Sequence, residues 1–298
     1  MNVKLMSFNV LNAWMPNTPV YRTMVERSRG AASMALDVLP DVMCLQEFDY
    51  YYRHDGEFIG LVLVEYSEAN THDEIDGDPW NCIFYRKDKF KLIASGGYNF
   101  SANGFEVIST GNADEASYPS RACNGSKYRY PADSAEGRIG LERSRFRSLA
   151  FAVLEDENGK RVIVATTHYS LRRWCHREEV EFVCEKLGEL KQTYECPVII
   201  CGDLNSTTEW GAASLMLKRG YLDAFDLTDD KDDSHSCHST SGKGEGDADR
   251  APGGTYKKDA IDHVFFDTPT DVSFYRIMKD EKLLSVSDHC PTLVEFRI

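Results

Sequence analysis

The sequence predicts an α/β sandwich: two β-sheets packed face to face with helices on their outer surfaces. Three observations carry this reading. Strand-like segments clearly outnumber helical ones. They come in two broad series, each with helices of its own, which suits a layered sandwich. No long repeat and no Pro- or Ser-rich linker divides the 298 residues, so the chain reads as a single domain over 1–298.

Strands are expected at 2–8, 41–45, 61–66, 81–86, 90–95, 147–154, 161–166, 197–201, 260–266, 271–277 and 291–297, each a short apolar run bounded by polar or turn residues. Asp156-Glu157-Asn158-Gly159 reads as the turn of a hairpin. Residues 20–39 form a first helix, with Met24, Ala31, Ala35 and Val38 near helical spacing before Pro40. A clearer helix covers 173–194, where Val180, Val183, Cys184, Leu187 and Leu190 make one stripe and Arg177, Glu178, Glu181 and Glu185 lie off it. A third covers 210–217.

Two stretches break the pattern, and loops this long in a compact domain are functional or simply solvated. Residues 99–146 are rich in Gly, Ser, Asn and Tyr and turn basic from Arg121. Arg121, Arg129 and Arg145 with Tyr128 make this the better place to hold an anionic substrate, because Arg forks onto phosphate and Tyr stacks on a base or packs a sugar or lipid. Residues 229–259 are polar, Gly-rich and of mixed charge.

The bulk numbers exclude some classes. A content of 42% hydrophobic and 28% charged residues fits a soluble globular chain. No run approaches the roughly 18–20 apolar residues needed to span a bilayer, so no transmembrane segment is expected. Met1-Asn2-Val3-Lys4-Leu5-Met6 enters a strand pattern at once, without a secretory signal's apolar stretch. The net charge of −14 opposes non-specific adhesion to DNA, RNA or anionic membranes and disfavours a duplex-tracking enzyme. Nine cysteines, an odd number without a C-x-x-C pair, point to a reducing, cytoplasmic setting rather than a disulfide framework.

Polar clusters then appear where apolar runs end: Ser7-Phe8-Asn9-Val10, Gln46-Glu47, Thr167-His168, Gly202-Asp203-Leu204-Asn205-Ser206, Ile261-Asp262-His263 and Ser287-Asp288-His289. Alone, Asn9 is equally a turn former and Glu47 an ordinary surface glutamate. Together they gather Asn, Glu, His and Asp side chains at sheet rims, a composition suited to a hard divalent cation and a phosphate. Gly202 permits close backbone approach, and strand alternation aims Asp203 and Asn205 the same way. An acceptor-only carboxylate suits a water nucleophile, and an amide that donates suits a phosphate oxygen. Asp262 is placed to orient and charge-stabilise an imidazole such as His289, and His168 offers a second one.

These clusters, in this order over almost the whole chain, resemble the endonuclease/exonuclease/phosphatase superfamily. The resemblance implies a deoxyribonuclease I-like, four-layered αββα sandwich of two mixed, largely antiparallel sheets. It also implies Mg²⁺- or Mn²⁺-dependent hydrolysis of phosphate esters. On the matching positions, Asn9, Glu47 and Asp288 surround the metal, and Asp203 orients or deprotonates the attacking water. Asn205 holds that water or a phosphate oxygen. His289, paired with Asp262, and His168 on the other side stabilise the charged transition state.

Two departures stand out. Members often carry a glutamate shortly before a sequence such as Asn81-Cys82-Ile83-Phe84-Tyr85-Arg86, where this chain has Asp78 followed by Pro79. The tyrosine-bearing segment of apurinic endonucleases is absent. The expected substrate is a phosphate ester from one of three classes: nucleic acid, phospholipid headgroup or inositol phosphate, and small phosphodiester. The competing readings are a nuclease for single strands or DNA ends, a lipid or inositol-phosphate phosphoesterase, and a catalytically idle phosphate-binding module. No obligate protein partner is implied.

Overall fold

Strands such as Val42–Gln46, Val198–Asp203 and Asp262–Phe266, buried on both faces, build two sheets that share one apolar interior. The computed structural model describes residues 1–12, 23–54, 56–69, 80–100, 107–109, 147–170, 175–232, 236, 260–279 and 286–298. The first sheet contains β1 (Asn2–Asn9), β2 (Val42–Gln46), β3 (Tyr66–Glu68), β4 (Cys82–Arg86), β12 (Asp271–Ile277) and β13 (Thr292–Arg297), in the order β12-β13-β1-β2-β4-β3. The second contains β5 (Phe90–Asn99), β6 (Val107–Ser109), β7 (Ser148–Asp156), β8 (Arg161–His168), β9 (Val198–Asp203), β10 (Leu222–Asp223) and β11 (Asp262–Phe266), in the order β10-β11-β9-β8-β7-β5-β6. Only β1·β2 and β8·β9 are parallel among the described pairs, so both sheets are mixed and largely antiparallel.

Three apolar layers result. Val3, Leu5, Val42, Cys44, Ile83, Val162, Val164, Ile199, Cys201, Val264 and Val294 fill the space between the sheets. The alternate residues Met6, Phe8, Met43, Leu45 and Phe84 face helices α1 (Met24–Val38), α2 (Tyr50–His54) and α3 (Phe58–Val62). On the other side Ile163, Ala165, Val198, Ile200 and Phe265 pack on α4 (His176–Tyr194) and α5 (Gly211–Lys218). This is the αββα order. Strand period 2 makes it possible, since each strand offers one face to the shared interior and one to its helices.

The helices begin and end for local reasons. Thr23 caps α1 in a capping box with Glu26: Glu26 N–H donates to Thr23 Oγ1, and Thr23 N–H donates to Glu26 Oε2 at 3.0 Å. Leu39 closes it in the left-handed region at φ 46°, and Pro40 prevents continuation. The stripe expected on α4 is the buried one, with Cys184 half-buried at its edge.

The segment 61–66 is not a strand. Phe58–Val62 is helix α3 and only Tyr66–Glu68 pairs with β4. A short apolar run carries no clear period, and here Phe58 and Val62, four apart, both bury against the α1 layer. Within 99–146, Val107–Ser109 adds an edge strand to β5. The remainder of that stretch with Arg121, Tyr128, Arg129 and Arg145, most of 229–259, and Asp78 lie outside the described residues.

One buried acid on α4 makes a testable contribution to stability. Glu179 accepts hydrogen bonds from Ser170 N–H, at 3.1 Å, and from the Ser170 hydroxyl. Burial outweighs these bonds and pushes its pKa up to about 7 from 4.5. A raised folded-state value means the acid's stabilising contribution is full below the unfolded pKa and lost as pH rises through the folded one. The loss is up to about 3 kcal/mol across that window. Glu179→Gln, which mimics the neutral acid, should therefore raise the melting temperature at pH 8 and leave it unchanged near pH 4.5. An equal shift at both pH values would show that Glu179 is not the titrating group.

Candidate functional site

The interior face of the sandwich changes from apolar to polar at one end. Continuing each strand's inward alternation past the core gives Ser7 and Asn9 on β1 after Val3 and Leu5, and Gln46 on β2 after Val42 and Cys44. It likewise gives Thr166 and His168 on β8, Asp203 on β9, Asp262 on β11 and Ser148 on β7. All are buried. Gln46 ties the two sheets together, donating from Nε2 to Ser7 Oγ at 3.2 Å and to Thr166 Oγ1 at 2.9 Å. Asn81 Nδ2 does the same from β4's end, donating to Ser148 Oγ at 2.7 Å.

Asp203 lies at the centre. Parallel register sets it opposite His168, and antiparallel register sets it opposite Asp262. Its Oδ2 accepts from Asn9 Nδ2 at 3.0 Å and lies 3.1 Å from His168 Nε2 and 3.5 Å from His289 Nε2. Its Oδ1 accepts from Asn205 N–H at 2.9 Å. Burial would raise the pKa of Asp203, but the charges of His168 and His289 and these hydrogen bonds overcome it. The carboxyl is held well below its usual range. Asp203 is a firmly ionised carboxylate.

Glu47 reaches the site by a left-handed turn. Because Gln46 points inward, extended backbone would send Glu47 toward the helices. A φ of 58° swings it back, at a cost of about 1–2 kcal/mol for a non-glycine residue. Its Oε1 accepts from Asn9 Nδ2 at 3.2 Å and its Oε2 from Asn12 N–H at 3.0 Å and from the Asn12 amide. Burial pushes its pKa up, but His168, the Asn12 hydrogen bond and Arg147 prevail and lower it. Asn205 also sits at positive φ, 48°, so strand alternation does not carry beyond Asp203. Its Nδ2 donates to Tyr169 O at 2.9 Å and lies 3.1 Å from His168 Nε2, which brings the amide to the site by another route. Gly202 is obligatory: its φ is 140°, and a Cβ there would fall 1.9 Å from Thr167 O on β8.

On the third side, His289 Nδ1 lies 2.8 Å from Asp262 Oδ2. Both are buried, and burial raises the Asp262 pKa despite the opposing charge of His289. Asp288 lies on the open side, its pKa raised by burial and also by the charges of Glu47 and Asp203. Its Oδ1 is buried with no hydrogen-bond partner among the described residues, and His289 Nε2 lies 4.0 Å from it.

The structure thus brings together Asn9, Glu47, His168, Asp203, Asn205, Asp262, Asp288 and His289. In this arrangement Asn9 meets the carboxylates through its NH₂ group, while its Oδ1 accepts from Leu11 N–H at 3.0 Å. With Asp78 outside the described residues, the nearest carboxylate to His168 Nδ1 among those described is Glu47, at 3.9 Å. Asn12 escaped sequence reasoning, because it sits in a loop without a strand to announce it. Arg147, at the start of the expected strand 147–154, supplies a described guanidinium whose charge reaches Glu47, while Arg145 lies outside the described residues.

A four-layered αββα sandwich with carboxylates, amides and imidazoles gathered at one end of both sheets is the class that this fold and site define. The chain belongs to the Endonuclease/Exonuclease/phosphatase family, whose model matches residues 6–289. Similar solved structures include an endonuclease/exonuclease/phosphatase from Bacteroides vulgatus, at 18% identity and TM-score 0.72, covering 100% of this chain and 99% of that one. A mannosyl-6-phosphatase from Bacteroides thetaiotaomicron matches at 18% identity and TM-score 0.71, covering 99% of this chain and 100% of that one. The human Nocturnin catalytic domain with bound sulfate anion matches at 16% identity and TM-score 0.65, covering 99% and 94%. At these identities the likeness is one of fold. No curated protein sequence matches the chain significantly. Among the described residues no helix is long and apolar enough to cross a membrane.

Proposed function

We propose that the protein is a Mg²⁺- or Mn²⁺-dependent phosphoesterase that hydrolyses a phosphodiester or phosphomonoester by in-line attack of water. One observation carries the reading: Asp203, buried and ionised, is bracketed by His168 and His289 and braced by Asn9 and Asn205. That arrangement combines a water-orienting acceptor with two imidazoles for phosphate charge.

The donor set fits a hard cation. Glu47 and Asp288 offer oxygen ligands, Asp288 Oδ1 accepts no hydrogen bond among the described residues, and Asn9 borders the position and fixes Glu47. A bound ion would supply charge neutralisation at the phosphate and a more acidic water. Asp203, Asp262 and His289 also place ligand atoms within 4.8 Å of one another. Asp262 Oδ2 and His289 Nδ1 already engage each other, so we assign that trio to the substrate side.

The chain's own groups divide the remaining work. Asp203, too acidic to be a strong base, aligns the water. Asn205 holds the water or a phosphate oxygen. His289, kept by Asp262, and His168 meet the charge that builds on the phosphoryl oxygens. No side chain becomes covalently attached. The net charge of −14 favours small or single-stranded substrates over duplexes. Arg121, Tyr128, Arg129 and Arg145 are our candidates for substrate contact. The seven cysteines among the described residues are all free, in keeping with a reducing cytoplasm.

A phosphate-ester panel with Mg²⁺, Mn²⁺ and then EDTA tests the assignment. Turnover should need the metal and vanish on chelation, and Glu47→Gln should raise the metal concentration for half-maximal rate by about 10–100-fold. Substrate KM should stay nearly constant. Folded protein without metal-dependent turnover on any ester would favour the idle binding module.

A further inference from the structure

Behind the site, on the helix side of the first sheet, lies a buried cation that the proposed chemistry does not use. Arg27 on α1 is 1% exposed. Its Nε donates to Val286 O at 2.9 Å, and its Nη2 donates to Val10 O at 3.2 Å and to Leu11 O. The Tyr52 hydroxyl joins from α2, donating to Val10 O at 2.6 Å. The partners of the guanidinium among the described residues are main-chain carbonyls and this hydroxyl. A buried guanidinium that gathers carbonyls from two distant segments is a fixture for those segments, because its planar fork sets both directions at once.

Both segments carry residues assigned above to the metal. Val10 and Leu11 follow Asn9. Leu11 sits at φ 59°, a strained conformation held by the bond to Arg27, and its N–H in turn fixes Asn9 Oδ1. The same loop sends Asn12 N–H onto Glu47 Oε2 at 3.0 Å. Val286 precedes Ser287, whose hydroxyl donates to Asn9 O at 2.6 Å and accepts from His289 N–H at 3.1 Å, with Asp288 between them. A second feature of α1 agrees. Gly30, one turn after Arg27, lets the helix press on the same segment, and a Cβ there would fall 2.8 Å from Val286 Cγ2.

We propose that Arg27 is a positioning residue that sets the spacing of Asn9, Glu47 and Asp288, and so the metal affinity of the site, through backbone carbonyls rather than by touching substrate. This rests on the metal reading given above. Arg27→Lys keeps the charge but loses the fork. Gly30→Ala displaces Val286 without touching the guanidinium.

The test measures Mn²⁺ dissociation constants by electron paramagnetic resonance on the purified full chain. The wild type, Arg27→Lys, Gly30→Ala and Leu190→Ala are compared, the last being a core truncation on α4 in the other helix layer. Arg27→Lys should weaken Mn²⁺ binding by about 10–100-fold, and Gly30→Ala should weaken it less but in the same direction. Leu190→Ala should lower the melting temperature and leave the Mn²⁺ constant unchanged. The proposal is overturned if Arg27→Lys folds and binds Mn²⁺ like the wild type, or if Leu190→Ala weakens binding equally. Should Arg27→Lys fail to fold, wild-type affinity in Gly30→Ala overturns it instead. A wild type that binds no Mn²⁺ removes the metal reading itself, a result distinct from tight binding that the variants leave unmoved.

Discussion

Replacing Asp203 by asparagine should lower turnover about 10³-fold, or about 4 kcal/mol of transition-state stabilisation, with secondary structure unchanged. The size follows from how many partners this one carboxylate serves. Its oxygens lie within 3.5 Å of two imidazoles and accept from an amide and a main-chain N–H. Asparagine keeps the volume and one acceptor oxygen, but its NH₂ meets donors already aimed at Oδ2. It also removes the negative charge between His168 and His289, so a water at that position loses the acceptor that orients it. The depressed pKa of Asp203 fixes which protonation state matters. The native side chain is anionic at neutral pH, and the rate should not depend on its titration there. Single-turnover rates on a generic ester, with circular dichroism as the fold control, measure the effect. A variant within a few-fold of wild type would show that Asp203 is structural.

The layout of this site was readable because a strand's period does not stop where its hydrophobic residues do. Val3 and Leu5 continue to Ser7 and Asn9, Val162 and Val164 to Thr166 and His168, and Ile199 and Cys201 to Asp203. The same alternation that fills the interior therefore aims polar side chains into its end, and a sequence displays that directly. Legibility fails where the backbone leaves the strand. Glu47 and Asn205 reach the site through left-handed residues, so alternation predicts the wrong side for Glu47 and has no bearing on Asn205. It fails again where the period is too short to define. The run 61–66 reads as strand, yet Val62 ends helix α3 and meets the core with Phe58 at helical spacing. Arg27 was illegible for another reason. A charged residue inside an amphipathic helix looks solvated until tertiary structure supplies main-chain carbonyls from residues 10, 11 and 286.

His289 and Asp262 should behave as a single unit. His289→Ala is expected to cut turnover by about 10²–10⁴-fold, and Asp262→Asn by a smaller factor. The double variant should be no slower than His289→Ala alone. The geometry requires this order. Asp262 Oδ2 faces His289 Nδ1 at 2.8 Å, which leaves Nε2 directed at the carboxylates of Asp203, at 3.5 Å, and Asp288, at 4.0 Å. Asp262 is buried at the start of β11, where its own N–H and that of Ile261 both donate to Ser236 Oγ at 3.0 Å. In the reaction proposed above it would act through the imidazole. Asparagine at 262 still offers an oxygen to Nδ1–H, so the ring keeps its direction but loses the negative charge that favours its protonated form. In the reaction proposed above, that form would stabilise a phosphoryl group gaining charge. The loss in Asp262→Asn should accordingly appear in kcat more than in KM, and it should shrink at lower pH, where bulk proton activity makes up for the missing carboxylate. A double variant whose loss equals the product of the two single losses would separate the residues and leave Asp262 a role of its own.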